Sequence, residues 1–203
     1  MVVLAGQASE GLLAAVGRSM NVVLVRPEES ADGLDAAAGA LRRAAGISSP
    51  YVLVAADPLA AVAAEWRAMW EIPREPSQKT GRQAAGSEAF ELRAAEALTA
   101  WRAGQFELPD YYLVLAEAVQ ATPGDEQPPD FYLGPLRSVR PHRVAVAAAA
   151  EPAEQAAEVL TVLGSLRHGR WWPSLDEIFR TAREFYPGSL SESPGAGRAR
   201  LLA

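Results

Sequence analysis

Apolar residues, mostly valine and leucine, form short runs that recur along the chain, and most runs are followed by a turn and a helical pattern. Runs of this length bounded by Pro, Gly or Asp are typical of buried strands. The runs that we predict as strands cover residues 2–4, 21–25, 51–54, 111–115 and 144–150. Because strands that alternate with helices form parallel, layered sheets, the sequence predicts an α/β fold with a mainly parallel sheet of about five strands flanked by helices.

Helix openings and apolar periodicity place helices between and after these strands. Asp57-Pro58 has the residue types of a helix N-cap and a first helical position. A helical excursion is predicted over about 71–105, and all these elements are expected to form a single domain over residues 1–187. Two C-terminal helices complete the domain, and they open at Glu151-Pro152 and at Pro173-Ser174.

Three segments lack the patterns of buried elements. Residues 73–88 carry two prolines and two glycines without apolar periodicity, so they are predicted to form a mobile surface loop before a helix that starts at Ser87. Residues 188–203 are rich in Ser, Gly and Pro and are predicted to form a flexible tail. Residues 131–135 are predicted as a short edge strand, where proline is tolerated.

Composition limits the possible partners and surroundings of the chain. The net charge is −6, so the molecule as a whole does not attract nucleic acid or an anionic membrane, and any such contact has to be local. The chain has no cysteine, which excludes disulfides, thiol nucleophiles and thiolate metal sites. No signal segment or apolar span of about 20 residues is recognisable, so we expect a cytoplasmic protein without a membrane partner. Abundant alanine, and 18 Arg against a single Lys, are typical of a GC-rich bacterial genome.

Both histidines and much of the clustered positive charge lie in two short segments, residues 137–143 and 167–172. A predicted strand and helix separate them, and since such a helix returns to the edge where its strand begins, the two segments are expected to meet there. The end of an earlier helix is expected to add Arg42 and Arg43. We call this predicted surface the basic edge, and its main residues are Arg140, His142, Arg143, Arg167, His168, Arg170, Trp171 and Trp172.

The residue types of the basic edge favour recognition of an acidic protein partner. Arginine binds carboxylate or phosphate, and tryptophan stacks on bases or on side chains of a partner. The net charge makes nucleic acid the less favoured partner. A structural interpretation also stays open: cations suit helix C-termini, and Trp171-Trp172 then pack where the last helix docks.

Acidic residues follow the predicted ends of several strands, at the edge where open α/β sheets usually bind ligands. If Asp57, Glu117 and Glu151 converge, they are suited to hold Mg²⁺ for phosphoryl transfer or hydrolysis. If they cap helices separately, the acidic residues only reflect the preference of carboxylates for helix N-termini. The other two acidic residues at this edge are Glu28 and Glu29.

Other catalytic motifs are weak. The turn at residues 6–11 lacks both the G-x-G-x-x-G spacing and the G-K-[ST] ending, so a plain turn is favoured over an anion site at the helix N-terminus. No G-x-S-x-G nucleophile motif occurs. The preferred function is therefore a non-catalytic interaction or assembly protein without a cofactor, with the Mg²⁺ enzyme and a nucleic-acid-binding module as alternatives. The apolar stripe on the last helix, 175–186, is expected in the core, with packing of a second copy as the other option.

Overall fold

Five strands form an all-parallel sheet in the order β2-β3-β1-β4-β5, which confirms the α/β class and the parallel arrangement. The computed structural model describes residues 1–6, 8–19, 22–28, 33–71, 79–115, 130–149, 151–166 and 172–186, without the side chains of 71 and 79–86. The strands are β1 (Val2–Ala5), β2 (Val22–Val25), β3 (Tyr51–Val54), β4 (Tyr111–Leu115) and β5 (Val144–Ala147).

Within the described ranges, seven α-helices accompany the sheet, and none of these is long and apolar enough to cross a membrane. The predicted start of the last helix after Ser174 is confirmed, since the Ser174 hydroxyl accepts a hydrogen bond from the Glu177 amide. The helices are α1 (Glu10–Gly17), α2 (Gly33–Ala45), α3 (Ala60–Glu71), α4 (Lys79–Arg102), α5 (Arg137–Val139), α6 (Pro152–Ser165) and α7 (Leu175–Glu184). A π-helix (Tyr132–Leu136) precedes α5, and a 3₁₀ turn (Pro141–Arg143) precedes β5.

The sheet is buried on both faces, which explains why its strands are continuous apolar runs. One face packs against α1 and α6, where Leu4 of β1 joins Leu12 and Val159 in a common core. The other face packs against α2, α3, α4, α7 and the π-helix, and Val3 of β1 lies in that second core with Trp66. Successive residues of β1 thus point into different cores, as the two-residue repeat of a strand requires.

The segment before Ser87 differs from the prediction. Helix α4 begins at Lys79, so residues 79–88 are helical rather than part of a loop. Six of its ten residues are Lys, Arg, Gln, Ala or Glu, which favour helices intrinsically even without an apolar stripe. Residues 73–78 and the tail 188–203 lie outside the described residues, and their mobility stays a prediction.

The predicted edge strand at residues 131–135 is wrong, because this segment forms the π-helix. In an α-helix the Phe131 carbonyl accepts from the residue four positions later, but that residue is Pro135, which has no N–H. The carbonyl instead accepts from the Leu136 amide at 3.0 Å, and this five-residue spacing defines a π-helix. The Asp130 carboxylate accepts from the first amides of the turn and fixes its start.

Candidate functional site

A cleft of about 530 Å³ lies at the edge of the sheet where the strands begin. Its floor is formed by the first residues of β1, β3 and β4, and its sides by the ends of α2 and α4. Prolines and aliphatic residues fill the gaps between the aromatic side chains, and two carboxylates, of Glu107 and Asp110, complete the lining. We call this site the aromatic cleft, after Tyr51, Trp101, Tyr111 and Trp172.

Contacts between the starts of β1 and β4 fix the floor of the aromatic cleft. The Asp110 amide donates to the Met1 carbonyl at 2.9 Å. The Asp110 carboxylate accepts from the Met1 amino group at 2.5 Å, so its charge is balanced within the cleft. The floor therefore consists of paired polar groups between aromatic walls.

Trp172 is both a wall of the aromatic cleft and an anchor for the chain that leads into α7. Its indole N–H donates to the Pro109 carbonyl, and its ring meets the Tyr112 ring edge-on, with centroids 5.8 Å apart. This geometry agrees with the packing role considered for the Trp171-Trp172 pair. Trp171 itself lies outside the described residues.

Arg143, one residue of the predicted basic edge, lies beside the aromatic cleft. Its guanidinium carbon lies 4.7 Å from the centroid of the Tyr111 ring, and Nη1 donates to the Asp110 carbonyl at 3.4 Å. The neighbouring His142 is exposed, whereas Arg140 is partly buried where α5 meets the 3₁₀ turn. Pro141 sets the 3₁₀ turn that presents these cations directly before β5.

The other half of the basic edge, Arg167, His168 and Arg170, lies outside the described residues. The described chain leaves the aromatic cleft at Leu166 and returns to it at Trp172, and both residues line the cleft.

The two arginines at the end of α2 diverge. Arg42 donates to the Gln105 carbonyl at 2.7 Å, close to the aromatic cleft. Arg43 instead forms a 2.6 Å ion pair with Glu28 and donates to the Arg26 carbonyl at 2.7 Å. Since Arg26 and Glu28 follow β2, Arg43 points toward the opposite end of the sheet, and its predicted place on the basic edge is wrong.

At the carboxyl edge of the sheet, Asp57 is held by two hydrogen bonds. One oxygen accepts from the Leu59 amide at 2.9 Å, so Asp57 caps a turn that precedes α3. The predicted helix start at Pro58 is two residues early, since α3 begins at Ala60. The other oxygen accepts from the Tyr132 hydroxyl. Burial raises the pKa of Asp57 to about 6, although both hydrogen bonds act to lower it. Sequence patterns did not reveal this pair, because 75 positions separate its members.

Asp57 and Glu151 do not converge on a common metal site. Asp57 follows β3 and Glu151 follows β5, and three strand spacings put these ends roughly 14 Å apart. Asp57 leads into α3 on one face of the sheet, whereas Glu151 leads into α6 on the other. Glu29 and Glu117 lie outside the described residues. Within the described ranges, no three His, Asp or Glu side chains are grouped to hold a metal ion.

The turn between β1 and α1 is closed by its own side chains. The Ser9 hydroxyl accepts from the Leu12 amide at 3.1 Å, and Nη1 of Arg26 donates to both carboxylate oxygens of Glu10. Gly6 has a φ of +105°, and a Cβ there would lie 3.0 Å from the Leu115 carbonyl oxygen, so the close approach of this turn to β4 requires glycine. These contacts agree with a plain turn.

Comparisons of the chain with protein-family models, with curated proteins and with solved structures gave no match.

Proposed function

We propose that this protein is a non-catalytic interaction or assembly protein, which binds an acidic segment of a partner protein along the basic edge and the aromatic cleft. The observation that carries the proposal is the contact of Arg143 with Tyr111 and Asp110, since both of these residues line the cleft. A cation is thereby held beside an aromatic recess.

The chemistry of the aromatic cleft supports a peptide-like occupant. A volume of about 530 Å³ lies within the range of roughly 300–1,000 Å³ for sites that bind compact ligands. Tyrosine and tryptophan are enriched at protein interfaces because each combines a large apolar surface with one polar group. An apolar or aromatic side chain of the partner is expected inside the cleft.

Charge distinguishes the inside of the cleft from its rim. The Asp110 carboxylate inside is already paired, so acidic groups of the partner are expected outside, near Arg143 and His142. Arg167 and Arg170 lie in the five-residue stretch between Leu166 and Trp172, both of which line the cleft. Salt screens the attraction between exposed charges over about 8 Å at physiological ionic strength. Binding of the acidic partner to these arginines is therefore expected to weaken as the salt concentration rises.

The test uses synthetic ten-residue peptides in which acidic residues surround a central Trp or Leu, with lysine-containing versions for comparison. Binding is followed by the NMR signals of the Trp101 and Trp172 indoles and of His142. The variant is Arg167→Glu/Arg170→Glu, and the matched control is Arg67→Glu/Arg180→Glu, which reverses two exposed charges on α3 and α7.

We expect acidic peptides to bind and lysine peptides not to bind. Reversal of Arg167 and Arg170 should weaken binding by about tenfold, while the control stays close to wild type, and both proteins should keep their thermal stability, because exposed charges contribute about 0–1 kcal/mol each. If only Arg167→Glu/Arg170→Glu loses thermal stability, these two arginines stabilise the fold and do not serve mainly to bind a partner. Unchanged binding with unchanged stability would remove the basic edge from the function.

The alternatives receive less support. For a Mg²⁺-dependent phosphoryl-transfer or hydrolytic enzyme, Asp57 already uses both oxygens in hydrogen bonds, and Glu151 follows a distant strand. For a nucleic-acid-binding module, the net charge of −6 opposes long-range attraction. A bacterial, cytoplasmic setting is part of the proposal, on the alanine- and arginine-rich, cysteine-free composition.

A further inference from the structure

Two tyrosine side chains and one carboxylate pack together where the π-helix meets the turn before α3. Tyr132 is 5% exposed and Tyr112 is fully buried, and their ring centroids lie 5.7 Å apart. The Tyr132 hydroxyl donates to Asp57 across the interface. The Tyr112 hydroxyl, also in the electrostatic field of Asp57, has no hydrogen-bond partner among the described residues. The cluster extends along one face of the sheet, from Tyr112, whose ring also contacts Trp172 of the aromatic cleft, to Asp57 beyond the end of β3.

No cation balances Asp57 within the described part of the chain. The groups that face it are Tyr132 from the π-helix, Tyr112 from β4 and the Leu59 amide from its own turn, and Asp130 adds a second negative charge near Tyr132. All three neighbours of the carboxylate are neutral, so its ionised form is poorly compensated.

A second tyrosine–carboxylate pair shows what a cation changes. The Tyr186 hydroxyl donates to Glu91 at 2.5 Å, and the Arg183 guanidinium binds the same carboxylate at 2.7 and 2.8 Å. Arg183 lowers the pKa of Glu91, so this pair stays ionised. The two pairs join the same kinds of group and differ in two respects: the Glu91 carboxylate is more exposed to solvent, and it is bound by an arginine.

We propose that the Asp57–Tyr132 hydrogen bond is a pH-dependent latch, which holds the π-helix against the turn before α3 more tightly once Asp57 takes up a proton. The proposal goes beyond the interaction function and does not depend on it. When the latch opens, the Asp57 carboxylate moves into water, which stabilises its ionised form. Opening therefore becomes easier as the pH rises.

The direction of the pKa shift sets the pH window. Burial raises the pKa of Asp57 from 3.8 to about 6. The added stability of the closed latch is therefore fully present below pH 3.8 and is lost as the pH rises through about 6. The π-helix is a suitable element to respond, since Pro135 already removes one of its backbone donors.

The test measures hydrogen exchange at the amides of Gly134 and Leu136 in the π-helix, which donate to the carbonyls of Asp130 and Phe131 at 2.7 and 3.0 Å. Exchange is compared between about pH 4.5 and about pH 7.5, after correction for the intrinsic chemical rate. Protection should fall by roughly tenfold or more over this range, because each unit of pKa shift corresponds to a factor of ten. Asp57→Asn keeps one acceptor oxygen for the Leu59 amide and turns an NH₂ donor toward the Tyr132 hydroxyl oxygen. Because asparagine does not titrate, protection in this variant should not vary with pH.

Two further variants keep the result decisive. Glu91→Gln changes the other pair, and the pH dependence at Gly134 and Leu136 should survive it. Tyr132→Phe removes a hydrogen bond that lowers the pKa of Asp57, so the transition should move to higher pH, which the ¹³C signal of the Asp57 carboxyl reports directly. The latch is ruled out if wild-type protection is constant with pH, or if Asp57→Asn retains the wild-type dependence.

Discussion

The guanidinium group of Arg143 lies over the ring of Tyr111, with its central carbon 4.7 Å from the ring centroid. Arg143 comes from the turn before β5 and Tyr111 begins β4, so the contact joins neighbouring strands at the mouth of the aromatic cleft. Arg143→Ala should lower the free energy of unfolding by about 0.5–1.5 kcal/mol in urea denaturation, because a partly buried cation–π contact is lost. Arg137→Ala, an exposed arginine six positions earlier, should change it by less than about 0.5 kcal/mol. If both variants lower the free energy of unfolding equally, the contact between Arg143 and the Tyr111 ring does not stabilise the fold.

Tyr112→Phe should leave stability unchanged or raise it by about 1 kcal/mol. The variant removes a buried hydroxyl without a hydrogen-bond partner in the described ranges, and the desolvation penalty of that group disappears with it. Tyr132→Phe should instead lower stability by about 1 kcal/mol, and by more at neutral than at acidic pH, because its hydroxyl donates to Asp57 and favours the ionised carboxylate. Guanidinium unfolding of the two variants under identical conditions makes the comparison. A clear loss in Tyr112→Phe would show that the hydroxyl has a partner elsewhere in the chain.

Asp57→Asn should raise the free energy of unfolding at about pH 8, on the order of 1–2 kcal/mol, and have a smaller effect near pH 4. The folded protein binds a proton at Asp57 more tightly than the unfolded chain, so wild-type stability falls as the pH rises from 3.8 through about 6. Asparagine removes that dependence while keeping the cap. Chemical denaturation at several pH values measures the free energy of unfolding of both proteins. If the wild type and the variant show the same pH dependence, Asp57 does not cause the loss of stability with rising pH.

Glu91→Gln should show the opposite trend. Its carboxylate has a lowered pKa through Arg183, so its stabilisation is present above the ordinary value of 4.5 and is lost as the pH falls through the folded value. The loss in the variant should be at most about 1 kcal/mol at pH 7, since the pair is exposed to solvent. It should shrink in acid and in high salt. If Glu91→Gln loses the same stability at every pH, the Glu91 side chain stabilises the fold by packing and not by its charge.

Trp172→Ala should destabilise the protein by about 3 kcal/mol, because the indole fills the space beside Tyr112 and binds the Pro109 carbonyl. For a chain of this size such a loss lowers the melting temperature by roughly 6–12 °C. Leu92→Ala serves as control, since Leu92 is 57% exposed and should change stability little. Similar melting curves for the two variants would exclude an anchoring role for Trp172.

The strands and most helices were predictable because each is encoded locally. The runs at 51–54 and 111–115 are buried on both faces, so their apolar residues are continuous and their predicted bounds agree with β3 and β4. Because the sheet is parallel, the sequence also predicted that the first residues of all its strands lie at one edge. The start of α4 was missed because its first residues lack an apolar stripe, and the π-helix because Phe131 and Tyr132 have strand-forming side chains.

The candidate sites were less predictable, since they depend on side-chain directions and on partners far apart in the chain. Arg43 was placed by its position at the end of α2, but its side chain extends toward Glu28. Asp57 was recognised as a helix cap, whereas its contact with Tyr132 depends on how the π-helix packs. Neither feature has a local sequence signature.

The central position of β1 has a consequence for folding during synthesis. β1 pairs with β3 on one side and with β4 on the other, and Val2 lies opposite Tyr111. The unit β2-α2-β3 is complete at Val54, but the edge of β1 that pairs with β4 stays open until Tyr111 is reached, 57 residues later. At about 5–20 residues per second, that delay lasts several seconds or longer. An apolar strand edge is then available to chaperones or to other nascent chains, and the arrival of β4 closes it.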